Sequence, residues 1–389
     1  MQDHSLLALR KFVAPEFVFG SGASDLVGRH TRNLGAERVL LVTDPGLLEV
    51  GWVQKTRDWL LDAGLRVSLF SEISPNPRDS EVMAGAELYR SEGCNAIVCV
   101  GGGSPMDCAK GIGIVASNER HILEFEGVDN VPRPGPPLIC LPTTSGSSAD
   151  VSQFAIILDT TRKVKIAIVS KAVVPDASLL DPVLTTTMDA DLTANTGLDA
   201  LTHAIEAYTS NASSPVTDLL ALEAIRTIRK HLSRAINDPG NLDARAGMQL
   251  GSLYAGLAFS NAILGAVHAL AHSLGGLLDL PHGKCNAILL DHVINRNFDS
   301  EPARYSDIGA ALGAPIVPGM PLDECRDLVL LAIREFKQAA GVTETLASLG
   351  VSPQDLPGLA KFALADPCMA TNPVQLTEED ILAIYDQAL

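Results

Sequence analysis

Three compact apolar runs constrain the fold of this chain more than any other feature: RVLLVTD (residues 38–44), RVSLFSEI (66–73) and NAIVCVGGGS (95–104). A helix-like stretch, VQKTRDWLLDAG (53–64), separates the first two, and a second follows the turn SPNPRDSEV (74–82) and runs to Glu92. Strands that recur only after an intervening helix form a parallel sheet covered by helices on both faces. KFVAPEFVFG (11–20) is expected to add a strand or hairpin, and PLICLPTT (137–144) a further strand. TRKVKIAIVSKAVVPDASLLD (161–181) is expected to bring the chain back to the edge of the same sheet.

Ligands of such sheets bind at the carboxyl ends of the strands, and three segments there carry chemistry. Gly101, Gly102, Gly103, Ser104, Pro105, Met106 and Asp107 join a strand directly to a helix. Glycines allow a diphosphate close to the backbone, and helix amides with their dipole favour its charge. Ser104 suits an N-cap and Pro105 a first helical turn. Met106 stands where the third glycine of GxGxxG would be, so a plain tight turn is the competing reading. Asp44 ends its strand, where a carboxylate can take hydrogen bonds from an adenosine ribose and repel a 2′-phosphate, favouring NAD; a cap before Pro45 fits equally. LPTTSGSSADVSQFA (141–155) offers hydroxyls and amides to a cofactor, although an ordinary loop has the same composition. Lys165 reads as a cofactor contact or a solvated strand charge.

From about Met188 the pattern becomes helical, with DPVLTTT (181–187) at the boundary. The expected domains are therefore 1–186, α/β, and 187–389, all-helical. Within the second, Asp199 and His203 stand four apart in GLDALTHAIEAY, as do His268 and His272 in AVHALAHSLGGL. His282 follows in Pro-His-Gly. Residues four apart share a helix face. Asp199 and His203 could pair with each other, and His268 and His272 could be satisfied core histidines. Convergent i,i+4 pairs plus Pro-His-Gly favour a divalent metal with nitrogen and oxygen ligands, for which Fe²⁺, Zn²⁺, Mn²⁺, Co²⁺ and Ni²⁺ all qualify. His292 could approach the same place; His4, His30, His121 and His231 have no supporting context.

A net charge near −17 argues against nucleic-acid or anionic-membrane partners. The seven cysteines, 94, 99, 108, 140, 285, 325 and 368, are scattered without a CxxC pair, as expected of reduced thiols in the cytoplasm. No basic leader opens MQDHSLLALRKF, and no apolar run of membrane-spanning length is uninterrupted.

GGGSPMDCAK, LPTTSGSSADVS, GLDALTHAIEAYTS and AVHALAHSLGGLLDLPHGKCNAILL together resemble the iron-dependent (group III) alcohol dehydrogenases, in the branch that holds lactaldehyde reductase and 1,3-propanediol dehydrogenase. The resemblance runs from the FGSG turn to Asn372-Pro373. It implies a Rossmann-like α/β domain followed by an all-α metal-binding domain, the dehydroquinate synthase-like architecture. It also implies Asp199, His203, His268 and His282 as metal ligands, and His272 beside them as the proton carrier. Gly101, Gly102, Gly103, Ser104 and Asp107 match its diphosphate loop. Thr143 and Thr144 match cofactor-contacting threonines, Lys165 a lysine near the ribose, and Asp44 the acidic residue that selects NAD. Phe259 and Cys368 fall where relatives line the substrate cleft, and Gln153 and Phe154 are expected to shape the same wall. TTSGSSAD departs from the family's TTAGTGSE, with Ser147 in place of Thr and Asp150 in place of Glu among the changes, which bears on specificity.

The implied activity is reversible interconversion of a small primary alcohol or diol and its aldehyde. It would use NAD(H) and Fe²⁺ (or Zn²⁺ or another divalent ion), with the substrate oxygen at the metal and the nicotinamide held between the domains. A homodimer or larger homo-oligomer is expected. Two rival readings are a glycerol dehydrogenase- or dehydroquinate synthase-like metalloenzyme and a non-catalytic NAD-binding assembly protein. The fourth ligand, His268, counts against the first, and the intact ligand set against the second.

Overall fold

The computed structural model describes residues 11–389; the opening MQDHSLLALR, with His4 and the expected absence of a leader, lies outside the described residues. Val13–Met188 forms one compact unit, and Asp189–Leu389 belongs to a second.

The first unit runs β1 (Glu16–Phe19), α1 (Val27–Asn33), β2 (Arg38–Val42), α2 (Pro45–Leu48), α3 (Trp52–Asp62), β3 (Arg66–Phe70), α4 (Asp79–Ser91) and β4 (Ala96–Gly101). It continues through α5 (Gly103–Asn118), β5 (Gly127–Val128), β6 (Leu138–Pro142), β7 (Phe154–Asp159), β8 (Val164–Val169) and β9 (Ala177–Leu180). Six strands form a parallel sheet in the order β1-β9-β6-β4-β2-β3. Strand periodicity divides the apolar residues between its faces. Leu40, Val42, Ile97, Cys99 and Leu138 pack with Val82 of α4 and Met106 and Ile112 of α5. Val39, Leu41, Val98, Ile139 and Leu141 pack with Val27 of α1 and Val53 and Leu60 of α3. Fully burying each such side chain is worth roughly 1.5–3 kcal/mol. The sheet is therefore held from its faces, while its outer strands leave Phe17, Phe19 and Leu69 exposed.

Two expectations need correction. Residues 161–181 do not return as one piece to the sheet edge. β8 pairs antiparallel with β7 and parallel with β5 in a separate three-stranded sheet. The cause is the short turn between β7 and β8, in which Asp159 accepts from the amides of Thr161 and Arg162, both at 2.9 Å. A connection that short permits only an antiparallel pair, since a parallel crossover needs a dozen or more residues. β9 does join the main sheet, but inside it, between β1 and β6. The second correction concerns α5. Its N-cap is Gly102 and no side chain caps it; the Ser104 hydroxyl instead donates to the Pro75 carbonyl.

A buried lysine ties α5 to the loop beyond β6. Lys110 Nζ donates to Ser152 O (3.0 Å), Ser152 Oγ (3.2 Å) and Phe154 O (2.6 Å), with Asp107 at 3.9 Å. Burial lowers the Lys110 pKa and Asp107 opposes that shift.

The second unit contains α6 (Ala190–Thr209), α7 (Pro215–Asn237), α8 (Leu242–Ala262), α9 (Ala266–Leu278), α10 (His282–Asn297), α11 (Pro302–Ala311), α12 (Leu322–Ala339), α13 (Leu356–Ala365) and α14 (Glu378–Ala388). Asp189 caps α6, accepting from Leu192 N at 2.7 Å. From Gly197 to Thr209 every residue of α6 is buried, as in a helix surrounded on all sides. α8 and α9 meet at a 96° bend. Ile263 makes the turn at φ +62, costly for a β-branched residue by about 1–3 kcal/mol. Thr371 Oγ1 fixes it by donating to Leu264 O at 2.6 Å, and the Ser210 hydroxyl by donating to Ala262 O. Among the described residues no single helix is long and apolar enough to cross a membrane.

Lys110→Met keeps the length of the side chain but strands two buried carbonyls and Asp107. Loss of one partner from a buried charged network costs about 3–5 kcal/mol, so the urea midpoint should fall sharply. A midpoint within error of wild type would show that Lys110 is not a structural tie.

Candidate active site

The ligand-type side chains of the second unit reach one point from three helices. Asp199 and His203 stand one turn apart on α6, His268 lies in the first turns of α9, and His282 opens α10. Asp199 Oδ1 is 3.9 Å from His203 Nε2, 3.7 Å from His268 Nε2 and 3.8 Å from His282 Nε2. These separations are too long for hydrogen bonds. They are close to the edge of a coordination polyhedron, about 3.4 Å for tetrahedral donors around an ion at about 2.1 Å. Packing fixes the rings: His203 stacks between Phe259 (centroids 4.4 Å apart) and His268 (4.5 Å), and His268 lies 5.3 Å from His282.

α10 reaches this position because residue 283 is glycine. A Cβ there would lie 2.7 Å from the carbonyl oxygen of Asn195 on α6 and 3.5 Å from Asp199 Cβ. Pro-His-Gly thus does more than end an apolar run. It lets the start of α10 rest on the backbone of α6.

The chemistry of the donor set fits a cation. Asn286, one turn beyond His282, directs its Nδ2 at Asp199 Oδ1 (2.7 Å), His268 Nε2 (3.2 Å) and His282 Nε2 (3.1 Å). A carboxylate oxygen and two imidazole nitrogens therefore crowd one NH₂ group that has two hydrogens to give, while Asn286 Oδ1 is buried with no hydrogen-bond partner. Burial would raise the Asp199 pKa, but His203, His268 and His282 hold it far below the carboxylate range. Burial pulls His268 down; Asp199 and Glu206 outweigh it and push it up to about 9. A divalent ion at this place would supply the positive charge that such a cluster requires.

A second layer stands beside the first. His272 stacks on His282 with centroids 5.2 Å apart, and its Nδ1 lies 2.8 Å from Asp366 Oδ2. Asp366 is nearly buried; its burial raises its pKa, and the facing His272 and the Cys368 amide bring it below normal. Asp366 Oδ1 accepts from the Cys368 amide at 2.8 Å, which draws Cys368 against the same imidazole.

In the first unit, the segments at the carboxyl ends of β2, β4 and β6 come together. Gly101 O accepts from Thr143 N at 3.0 Å. A Cβ on Gly102 would lie 3.2 Å from the Thr144 side chain, and one on Gly103 would lie 2.8 Å from Ser147 Oγ. Leu47, just past Asp44, would be 3.5 Å from a Cβ on Gly101. Uncapped amides at the start of α5, and the buried hydroxyls of Thr43 and Ser145 that lack partners, suit a phosphate-bearing cofactor. Asp44 occupies the N-cap position of α2; burial raises its pKa against the Gly46 and Leu47 amides. Asp107 is turned inward, accepting from Ile156 N at 3.2 Å. Burial pushes its pKa up to about 6, against Lys110, Ile156 N and Lys165. Lys165 lies on β8, opposite Leu158. Of the two departures noted above, Asp150 points into the sheet and accepts from Ser178 Oγ at 2.6 Å, whereas Ser147 packs on the glycine loop. Gln153 is buried, and its carbonyl accepts from Ser170 N at 2.9 Å.

Residues 14–182 match the model of iron-containing alcohol dehydrogenases, and residues 193–389 match that of the C-terminal domain of the same family. This chain belongs to the iron-containing alcohol dehydrogenase family. It is 42% identical over 372 residues to a 1,3-propanediol dehydrogenase of Klebsiella pneumoniae, covering 95% of this chain and 96% of that protein. A lactaldehyde reductase of Escherichia coli is 36% identical over 372 residues, at 95% and 97% coverage. The crystal structure of a 1,3-propanediol oxidoreductase superposes with a TM-score of 0.95 at 41% identity, covering 98% of this chain and all of that one.

Within this iron-containing alcohol dehydrogenase, four residues around the cluster escaped the sequence reading: Glu206, Asn286, Asp366 and Asn372. Two carried a signal. Glu206 stands three residues after His203 between Ile205 and Ala207, a lone acid in an apolar run, and Asn286 is one turn from His282. Asp366 and Asn372 reach α9 from far along the chain, a pairing that no local pattern encodes.

Gly283→Ala should force α10 away from α6 and carry His282 with it. A divalent-metal affinity lower by roughly tenfold or more, as for other disturbed supports of metal ligands, should appear in chelator-competition titrations. Unaltered affinity would mean that another contact places His282.

Proposed function

We propose that this enzyme reversibly interconverts a small primary alcohol or diol and its aldehyde with NAD(H), at a divalent metal held by Asp199, His203, His268 and His282. The observation that carries the proposal is the approach of three imidazole Nε2 atoms to within 3.7–3.9 Å of one buried carboxylate oxygen. The donors are nitrogen and oxygen only, which suits Fe²⁺, with Zn²⁺ or another borderline ion as a substitute. Such an ion supplies Lewis acidity, polarising a carbonyl oxygen and acidifying a hydroxyl. NAD(H) supplies the hydride chemistry.

The chain's own residues do the rest. Phe259 walls one side of the ligand cluster and holds His203 flat against it. His272 is the proton carrier: Asp366 occupies Nδ1, so Nε2 is the atom left to take or return the hydroxyl proton. Cys368 and Phe259 are the proposed pocket residues of the helical unit, and Gln153 that of the α/β unit. For the cofactor, Gly101, Gly102, Gly103, Ser104 and the start of α5 receive the diphosphate. Asp44 takes the adenosine ribose and disfavours a 2′-phosphate. Thr143, Thr144 and Lys165 border the same site. Asp107 supports it from beneath, through its bond to Ile156.

The names of the relatives, 1,3-propanediol dehydrogenase and lactaldehyde reductase, direct the choice of substrate toward short diols and hydroxyaldehydes. Seven free, buried thiols suit a reducing compartment, so we place the enzyme in the cytoplasm, as a homodimer or larger homo-oligomer.

His268→Ala should abolish metal retention and NADH-linked aldehyde reduction while leaving NADH binding intact. Full turnover by a metal-free preparation would refute the scheme.

A further inference from the structure

Glu206 is buried on α6, one turn beyond His203, yet no mechanism step uses it. It faces three N–H groups of the α9 start. Its Oε1 accepts from Val267 N at 2.6 Å, and its Oε2 accepts from Gly265 N at 3.0 Å and lies 2.6 Å from His268 Nδ1. A carboxylate with three such neighbours can only accept, so Nδ1 of His268 must carry a proton. At the other edge of the same ring, Nε2 faces the Asn286 amide nitrogen at 3.2 Å and Asp199 Oδ1 at 3.7 Å. A neutral ring with its proton on Nδ1 presents its lone pair at Nε2.

The site around Glu206 is built to admit the carboxylate. Residue 265 is glycine where a Cβ would lie 2.9 Å from Glu206 Oε1 and 3.0 Å from Asn372 Oδ1. Asn372 takes the remaining amide, Ala266 N, at 3.1 Å and is itself braced by Asn297 Nδ2 at 2.9 Å. The first turn of α9 is thus capped by two side chains from outside the helix. One of them also grips the ring that the helix presents.

We infer that Glu206 is the positioning residue of the metal centre, holding His268 with its proton on Nδ1 and its Nε2 lone pair turned toward Asp199. The inference rests on the proposed metal site and deepens it. A carboxylate hydrogen-bonded to a ligand imidazole raises the ring's basicity, and its buried charge, added to that of Asp199, balances a divalent cation. A neutral amide in its place cannot satisfy all three N–H groups. If its NH₂ faces His268, Nδ1 must become an acceptor and the proton moves to the metal-facing nitrogen.

The test uses the full-length protein loaded with Zn²⁺. Chelator competition should show Glu206→Gln binding Zn²⁺ roughly 10- to 100-fold more weakly than wild type, with NADH affinity unchanged. Proton–nitrogen spectra of ¹⁵N-histidine-labelled wild type should show a metal-bound imidazole with a far-downfield Nδ1–H, absent from Glu206→Gln. Any neutral ring bound through Nε2 carries a proton on Nδ1; its far-downfield position is the mark of the short bond to the Glu206 carboxylate. Equal Zn²⁺ affinity in the variant, or no downfield Nδ1–H in the wild type, overturns the inference and leaves the metal reading standing. Failure of the wild type to bind Zn²⁺ stoichiometrically sinks both. Should the variant not fold, the wild-type spectrum decides alone.

Discussion

The carboxylate of Asp199, sealed in a helix that is buried on every side, is the interaction on which the helical unit depends. An unpaired charge in that position costs several kcal/mol even after relaxation. Three imidazoles within 4 Å reverse the balance, and His268 brings a second carboxylate, Glu206, behind it. Each ring comes with a packing device. Phe259 supports His203, the 96° bend at Ile263 aims the helix of His268, and Gly283 lets His282 rest on α6. The strained Ile263 backbone is tolerable because Ser210 and Thr371 hold the carbonyls on either side of it. Local strain and close approach are thus concentrated where these side chains converge.

In the proposed function the α/β unit meets a different problem, the approach of a polyanionic cofactor to an acidic protein. Net charge near −17 makes a surface patch of cations unavailable as a general solution. The glycine loop avoids side-chain charge altogether, presenting uncapped amides at the start of α5. The one buried cation nearby, Lys110, is spent on backbone carbonyls and holds the Thr/Ser-rich segment in register with that helix.

Much of this was legible in the sequence, for identifiable reasons. Parallel strands announce themselves through continuous apolar runs, and the i,i+4 pairs of α6 and α9 placed four of the converging side chains on two helix faces. Long motifs then named the family that both halves match. Other features were not legible. The β7–β8 hairpin hid behind an apolar run that looked like another sheet strand; the short turn at 160–163, not hydropathy, decides its pairing. Ser104 looked like a cap because its type is right, but Gly102 takes that position and the serine reaches the Pro75 carbonyl instead. Asp366 and Asn372 act on residues 94 and 106 positions earlier, and only the tertiary fold brings them there.

The proposed site holds one divalent ion among Asp199, His203, His268 and His282. X-ray absorption at the metal edge of anaerobically purified protein tests it most directly. About one equivalent of metal is expected in a shell of nitrogen and oxygen donors only, with the multiple-scattering pattern of three imidazoles. A sulfur donor in that shell, fewer than three imidazoles, or substoichiometric metal in active enzyme would contradict it.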